Sequence, residues 1–211
     1  MEQDEQALRA YYGDMLPELY RIRDTLLRWA ETAQRQSAEG GHSPIEHCKA
    51  RIKTPESARA KLRRAGLPED GAAALKALHD VVGVRLVCTF PDSVYQVAAA
   101  LRAEYPSAEV RDYIRSPKPN GYRSYHMLLR FPAHGRGPAV TAEVQLRTIA
   151  MDCWASLEHQ LKYKRHIRNQ ELIVGELRRC ADELASADLR MQTIHELIER
   201  SGAPDDGEEK P

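Results

Sequence analysis

Nowhere in these 211 residues do roughly 18 apolar residues run together, so the sequence offers no membrane-spanning helix. The N-terminus, MEQDEQALRAYYGDM, has neither the basic start nor the apolar run of an export signal, and a cytoplasmic location is expected. Net charge is missing too: 31 Lys and Arg balance 31 Asp and Glu, so no overall field draws the chain toward nucleic acid or an anionic membrane. Any anion site has to be local. There are 4 cysteines, Cys48, Cys88, Cys153 and Cys180, widely spaced and without a CxxC pair. They are expected to be buried free thiols with no chemistry of their own. Internal repeats are absent. The length leaves room for one α/β domain with helical additions and too little for two full enzymes.

What is present alternates. Residues 4–36 carry Leu8, Tyr11, Tyr12, Met15, Leu19, Ile22, Leu26 and Leu27 near a three-to-four spacing and predict a helix that runs through Pro17. SAEGGHSP breaks it. IEHCKARIK reads as a strand, and TPESARAKLRRAG as a helix with Thr54 at its start, proline at its first position and Gly66 as its stop. A short helix at 70–79, the strand VGVRLVCTF and the helix PDSVYQVAAALRAEY follow, then three strand candidates, AEVRDYIR, YRSYHMLLRF and AVTAEVQLRT. IAMDCWASLEHQLKYKRH and residues 169–200 predict two long helices, and SGAPDDGEEKP a disordered acidic tail. The expected fold is mixed α/β (α+β): a mixed sheet of about five strands flanked by helices, with additional helices at both ends. Its expected organisation is an N-terminal helical segment (1–40), a core domain (41–168), a C-terminal helix (169–200) and the tail (201–211). Because the intervening helices already cover such a sheet, the apolar stripes of both terminal segments are expected to bury area elsewhere, against each other or across subunits.

Three stretches carry candidate chemistry. Ser57, Lys61 and Arg64 share one face of the helix at 55–66, and Arg51 and Lys53 lead into it with the parity of one strand face. Such a convergence of cations near a helix N-terminus suits a triphosphate, although a solvated basic face is the plainer reading. VTAEVQLRT alternates strictly, placing Thr141, Glu143, Gln145 and Arg147 on one side. A carboxylate between an amide and a guanidinium can line a cleft; an edge facing water is the plainer reading. Asp80, ahead of the buried strand, is either a turn residue or, with a second acid, a ligand for Mg²⁺ completed by phosphate oxygens. In SPKPNGYRSYH, Pro117, Pro119 and Gly121 shape a turn, after which Tyr122, Ser124 and His126 share one strand face. A tyrosine beside Lys118 and His126 can stack a base, or simply half-bury itself beside a hairpin.

The segments RIKTPES, HDVVGVRLV, YIRSPKPNGYRSYH, AEVQLRT and MDCWASLEH occur in this order, the last leading into LKYK at 161–164. Together they resemble the synthetase domain of the RelA/SpoT family, most closely its single-domain small alarmone synthetases of the RelQ type. The chain has YRSYH and DVVGVR where that family pattern has YRSLH and DIAGIR. No hydrolase-like or regulatory region is recognisable, so a bifunctional long form is not expected. The resemblance implies transfer of the β,γ-pyrophosphate of ATP to the 3′-hydroxyl of GDP or GTP. It implies Arg51 and Arg85 on the adenine, with Lys53, Ser57, Lys61 and Arg64 on the ATP phosphates. Asp80 and Glu143 would hold Mg²⁺, and Glu143 would also take the proton of the attacking hydroxyl. Tyr122 would stack on guanine, with Lys118, Arg123, His126 and Gln145 around the acceptor. It also implies a homotetramer built through terminal helices. Family members that act on the 3′ end of tRNA, often with an antitoxin partner, or on adenine nucleotides are the alternatives, and KYKRHIR at 162–168 is the candidate basic patch for the first of these. A nucleotide-binding regulator that has lost the reaction is a third.

Overall fold

The computed structural model describes residues 2–38, 43–132, 137–162 and 170–202. Five strands form one mixed sheet: β1 (Ile45–Ile52), β2 (Val82–Cys88), β3 (Glu109–Asp112), β4 (Tyr125–Phe131) and β5 (Val140–Thr148). Their order is β1-β2-β5-β4-β3, with β2 and β5 parallel and every other pair antiparallel. The strict alternation in β5 is what gives the sheet two unlike faces. Val84, Leu86, Met127, Leu129, Ala142, Val144 and Leu146 are buried on one face. Register puts Arg51, Gly83 and Glu143 in one row of the other face, and Lys49, Arg85, Gln145 and His126 in the next.

The predicted N-terminal helix is two helices, α1 (Glu2–Tyr12) and α2 (Leu16–Ala38), separated by a 3₁₀ turn at Gly13–Met15. Gly13 sits at φ 54°, a backbone conformation that an L side chain resists, and so lets the chain turn before Pro17. The stripe expected to lie away from the sheet covers it instead. Leu19, Ile22 and Leu26 of α2 are fully buried in the main core together with Val94, Val97 and Leu101 of α5 (Pro91–Glu104). Burial of each such side chain contributes about 1.5–3 kcal/mol. The β1–β2 half of the apolar face would be bare without α2, which is why the intervening helices alone do not suffice.

Helix α3 (Pro55–Arg64) begins as its sequence predicts. The Thr54 side chain accepts from the Ser57 amide at 3.3 Å, Pro55 fills the first helical position, and Gly66 closes the end at φ 67°. Asp70 caps α4 (Gly71–Ala77) in the same way, accepting from Ala73 at 2.8 Å. At the other end, α6 (Ile149–Lys162) and α7 (Gln170–Gly202) form a satellite core around Trp154, Leu177 and Ala181, with Ile173 and Leu184 packed against it. The α7 stripe is therefore divided: Leu177 is buried, whereas Leu172, Leu189, Ile194, Leu197 and Ile198 are exposed. The thiols divide as well. Cys88 is buried and Cys48 half-buried, but Cys153 and Cys180 are exposed, because α6 and α7 pack on the domain through one side only. The segment 163–168 of the basic patch and residues 203–211 of the acidic tail lie outside the described residues. Among the described residues no helix is long and apolar enough to cross a membrane.

Candidate active site

The polar face of the sheet opens into a cleft of about 290 Å³ lined by Lys49, Arg51, Asp80, Gly83, Arg85, Glu143 and Gln145, among others. Arg51 comes from β1, Arg85 from β2 and the last two from β5, while Asp80 stands just ahead of β2. Lys53 follows β1 and is buried, its Nζ 2.8 Å from Asp80 Oδ2; Lys61 reaches back from α3 to Asp80 Oδ1 at 2.9 Å. The backbone carbonyl of Lys53 accepts from the buried Tyr12 hydroxyl at 2.8 Å, so α1 helps to hold this lysine in place. Burial pushes the Asp80 carboxyl up, but its two lysines together outweigh that and hold it below the usual carboxylate value. Ser57 and Arg64 stay on the exposed side of α3. The Ser57 hydroxyl accepts from Thr54 at 3.0 Å, and Arg64 Nε donates to the Ala60 carbonyl at 3.2 Å.

On the far side of Glu143 the side chains close into a ring of hydrogen bonds. His126 Nδ1 lies 3.1 Å from Glu143 Oε1 and its Nε2 lies 2.8 Å from the Tyr122 hydroxyl. Gln145 Nε2 donates to Glu143 Oε2 at 2.7 Å. Arg147 completes the circuit, donating to Gln145 Oε1 at 2.9 Å and to the Tyr122 hydroxyl at 2.8 Å. For Glu143, burial again pushes the carboxyl up and the nearby Asp80 adds to this. The His126 and Gln145 bonds prevail, so the group lies below its ordinary value and is an acceptor at neutral pH.

Tyr122 is placed by a turn rather than by a strand, since β4 starts only at Tyr125. Gly121, at φ 90°, makes the reversal, and its amide donates to the Lys118 carbonyl at 2.8 Å. Consequently Ser124 does not share a strand face with Tyr122; it is fully buried and donates to the Leu146 carbonyl at 3.1 Å. The Lys118 ammonium lies 4.8 Å from the Tyr122 ring centroid and 4.7 Å from that of Tyr113. Arg123 turns the other way, toward α7, where it meets Asp182 at 2.7 Å. Asn120 is held by Glu158 of α6 at 3.1 Å.

The structure thus brings Lys53, Lys61, Asp80, Arg51, Arg85, Glu143, Gln145, His126 and Tyr122 into one connected surface. It leaves Ser57, Arg64 and Arg123 outside the contacts that join it. Two members went unassigned from sequence. Arg147 was visible as the fourth residue of the polar side of β5. Asp152 had no signal; in α6 it accepts from Arg147 at 3.0 Å and lies 3.0 Å from Arg85, bridging the two. The Nε atoms of Arg85 and Arg147 are buried without a partner among the described residues. No group of three or more His, Cys, Asp or Glu able to hold a metal occurs among them either.

A family model described as "Region found in RelA / SpoT proteins" matches residues 50–168. The GTP pyrophosphokinase YwaC of Bacillus subtilis is 39% identical over 163 residues, covering 75% of this chain and 78% of that protein. The GTP pyrophosphokinase YjbM of the same organism is 32% identical over 169 residues, 78% of this chain and 79% of its own. Among solved structures, the small alarmone synthetase 1 of Bacillus subtilis bound to its product pppGpp superposes with a TM-score of 0.77 at 30% identity. That match covers 87% of this chain and 95% of the other.

Proposed function

The chain belongs to the family defined by the region shared by RelA and SpoT proteins, and on that premise we propose that it is a GTP/GDP 3′-diphosphokinase that moves the β,γ-pyrophosphate of ATP onto a guanosine 3′-hydroxyl. One observation carries the reading: the carboxylates Asp80 and Glu143 line a single cleft with Arg51, Arg85 and Gln145, and the ring of hydrogen bonds through Glu143 ends on an aromatic side chain. A reaction between two polyanionic nucleotides needs local cations, positioning and one acceptor for a proton rather than a covalent nucleophile.

In this reading the Arg51 and Arg85 guanidiniums flank the adenine, and Lys53 and Lys61 exchange Asp80 for ATP phosphate oxygens as the nucleotide enters. Ser57 and Arg64, at the exposed mouth of α3, meet the outer phosphates. Tyr122 stacks on the guanine, with Lys118 displaced from above its ring toward the acceptor's phosphates, and His126 and Gln145 hold the ribose end. Glu143 takes the proton of the 3′-hydroxyl as that oxygen bonds to the β-phosphorus, and the bond from the β-phosphorus to the bridging oxygen breaks to release AMP. The donor set fits Mg²⁺: two hard carboxylates that are too few to cage an ion alone, beside space for phosphate oxygens, which is how this ion is usually held. Bound by Asp80 and Glu143, Mg²⁺ would neutralise charge on the transferring phosphates. The exposed half of the α7 stripe is then a surface for assembly, and a homotetramer is the proposed state.

The test is to incubate the purified protein with γ-labelled ATP and Mg²⁺, offering GDP, GTP, adenine nucleotides and tRNA separately. Label in ppGpp or pppGpp is expected. Label in tRNA or an adenine nucleotide alone would reassign the acceptor, and binding of both nucleotides without transfer would make the protein a regulator.

A further inference from the structure

Arg147 is 4% exposed, and a guanidinium so deeply buried has to be satisfied by specific partners. Its partners come from both halves of the cleft. One terminal nitrogen serves Tyr122 and Gln145, at 2.8 and 2.9 Å; the other serves Asp152, at 3.0 Å. Its Cζ lies 5.1 Å from the centroid of the Tyr122 ring. Asp152 in turn holds Arg85.

We infer that Arg147 is a positioning residue for the acceptor, acting through Tyr122 and Gln145, and that Asp152 ties it to the donor half through Arg85. The chemistry of the hydrogen bonds gives Arg147 this role. A guanidinium only donates, so the Tyr122 oxygen accepts from it, and in the His126 tautomer that carries its hydrogen on Nδ1 the Tyr122 hydroxyl gives its own hydrogen to Nε2. His126 then presents its Nδ1 hydrogen to Glu143. On the other branch, Arg147 occupies the Gln145 carbonyl oxygen and leaves the amide hydrogens to Glu143. Both branches therefore arrive at Glu143 as donors, and the direction of every bond in the ring is set by its two ends together, Arg147, which cannot accept, and the Glu143 carboxylate, which cannot donate. Without it the Tyr122 hydroxyl can rotate away, the Gln145 amide can flip, and the ring plane on which a base rests loses its anchor. Lysine restores the charge but not the planar fork that reaches three partners at once.

This inference rests on the reading of Tyr122 as the base-stacking residue of a synthetase. Steady-state kinetics with ATP and GDP varied independently, and calorimetric GDP binding, test it on Arg147→Met, Arg147→Lys, Tyr122→Phe and the Tyr122→Phe/Arg147→Met double variant. Loss of a charged hydrogen bond corresponds to roughly a ten- to hundredfold rise in the KM for GDP in Arg147→Met. The KM for ATP is expected to stay within about twofold, and lysine is expected to recover little. Because the tyrosine hydroxyl is the point of contact, the double variant is expected to bind GDP no more than about twofold worse than Arg147→Met alone. If Arg147→Met does not fold, Arg147→Lys with and without Tyr122→Phe gives the same comparison. An unchanged KM for GDP, an equal rise for ATP, or losses that multiply in the double variant would each overturn the inference. A wild-type protein that transfers nothing to GDP or GTP sinks the synthetase reading as well; an active one whose GDP affinity ignores Arg147 sinks this inference alone.

Discussion

Replacing Gly121 with alanine tests how firmly the acceptor turn is pressed against the C-terminal helix. A Cβ added there would lie 2.6 Å from the Ala181 Cβ and 2.9 Å from the Arg178 Cα, both on α7, and the residue sits at φ 90°. Neither neighbour is the free end of a flexible side chain, so the turn or the helix has to move. Adopting the positive φ costs about 1–3 kcal/mol and relieving the overlap about 1–3 more. A chain of this length loses roughly 2–4 °C of Tm per kcal/mol, so a fall on the order of 5–15 °C is expected in calorimetry. Gly66→Ala is the internal control. It has a similar positive φ of 67° but nothing within 4 Å, and so carries only the backbone part, about 1–2 kcal/mol. Since the moved turn carries Tyr122, the KM for GDP should rise in Gly121→Ala and stay put in Gly66→Ala. Equal Tm shifts for the two variants, with an unchanged KM, would refute the contact.

Glu143→Gln keeps the size of the side chain and removes both a charge and the proton acceptor, so kcat should fall by roughly two to four orders of magnitude while the protein still folds; activity within tenfold of wild type would remove Glu143 from the reaction. Asp80 and Glu143 both lie below their ordinary values, 3.8 and 4.5, so in acid the unfolded chain takes up protons before the folded one. Their contribution is complete above those values and is lost as pH falls through the lower folded ones, which denaturant titrations between pH 6 and pH 2 will show as falling stability. Asp188 has the opposite sign. Burial raises it against the bond it accepts from Thr148, so its contribution is complete below 3.8 and is lost as pH rises through the raised value. Asp188→Asn should therefore be at least as stable as wild type at pH 7, and the gap should close in acid. Light scattering should give about four times 23.9 kDa, and charged residues at Leu197 and Ile198 should lower that mass while leaving a folded domain; a 23.9 kDa species for the intact chain would contradict the tetramer.

The elements with strong local signals were legible: the alternation of β5, the capped start of α3 and the proline-opened α5 appear where their residues predict them. Those decided at a distance were not. Whether Gly13 divides one helix into two depends on α1 and α2 meeting different surfaces, and the covering of the sheet by α2 depends on which strands the intervening helices leave bare. The same distinction runs through the site. Asp80, Glu143 and Tyr122 stand out as candidates by residue type and neighbours, though only the family resemblance favours a role for them over the plainer readings, whereas Asp152 sits in an ordinary amphipathic helix and Asp182 near the middle of another. Each matters only because α6 or α7 delivers it to an arginine on another element, 67 residues apart in chain order for Arg85 and Asp152 and 59 for Arg123 and Asp182. Arg123 shows the converse. Its position beside Tyr122 suggests the acceptor, yet the reversal at Gly121 turns it toward α7.

The central claim is that a pyrophosphoryl group, rather than a single phosphate, leaves ATP for a guanosine 3′-oxygen. The most direct measurement is the stoichiometry of the adenine product. With α-labelled ATP and unlabelled GDP or GTP, AMP should accumulate one for one with a guanosine nucleotide carrying two additional phosphates on its 3′-oxygen. ADP as the adenine product, or AMP formed with free pyrophosphate and no new guanosine nucleotide, would contradict the account.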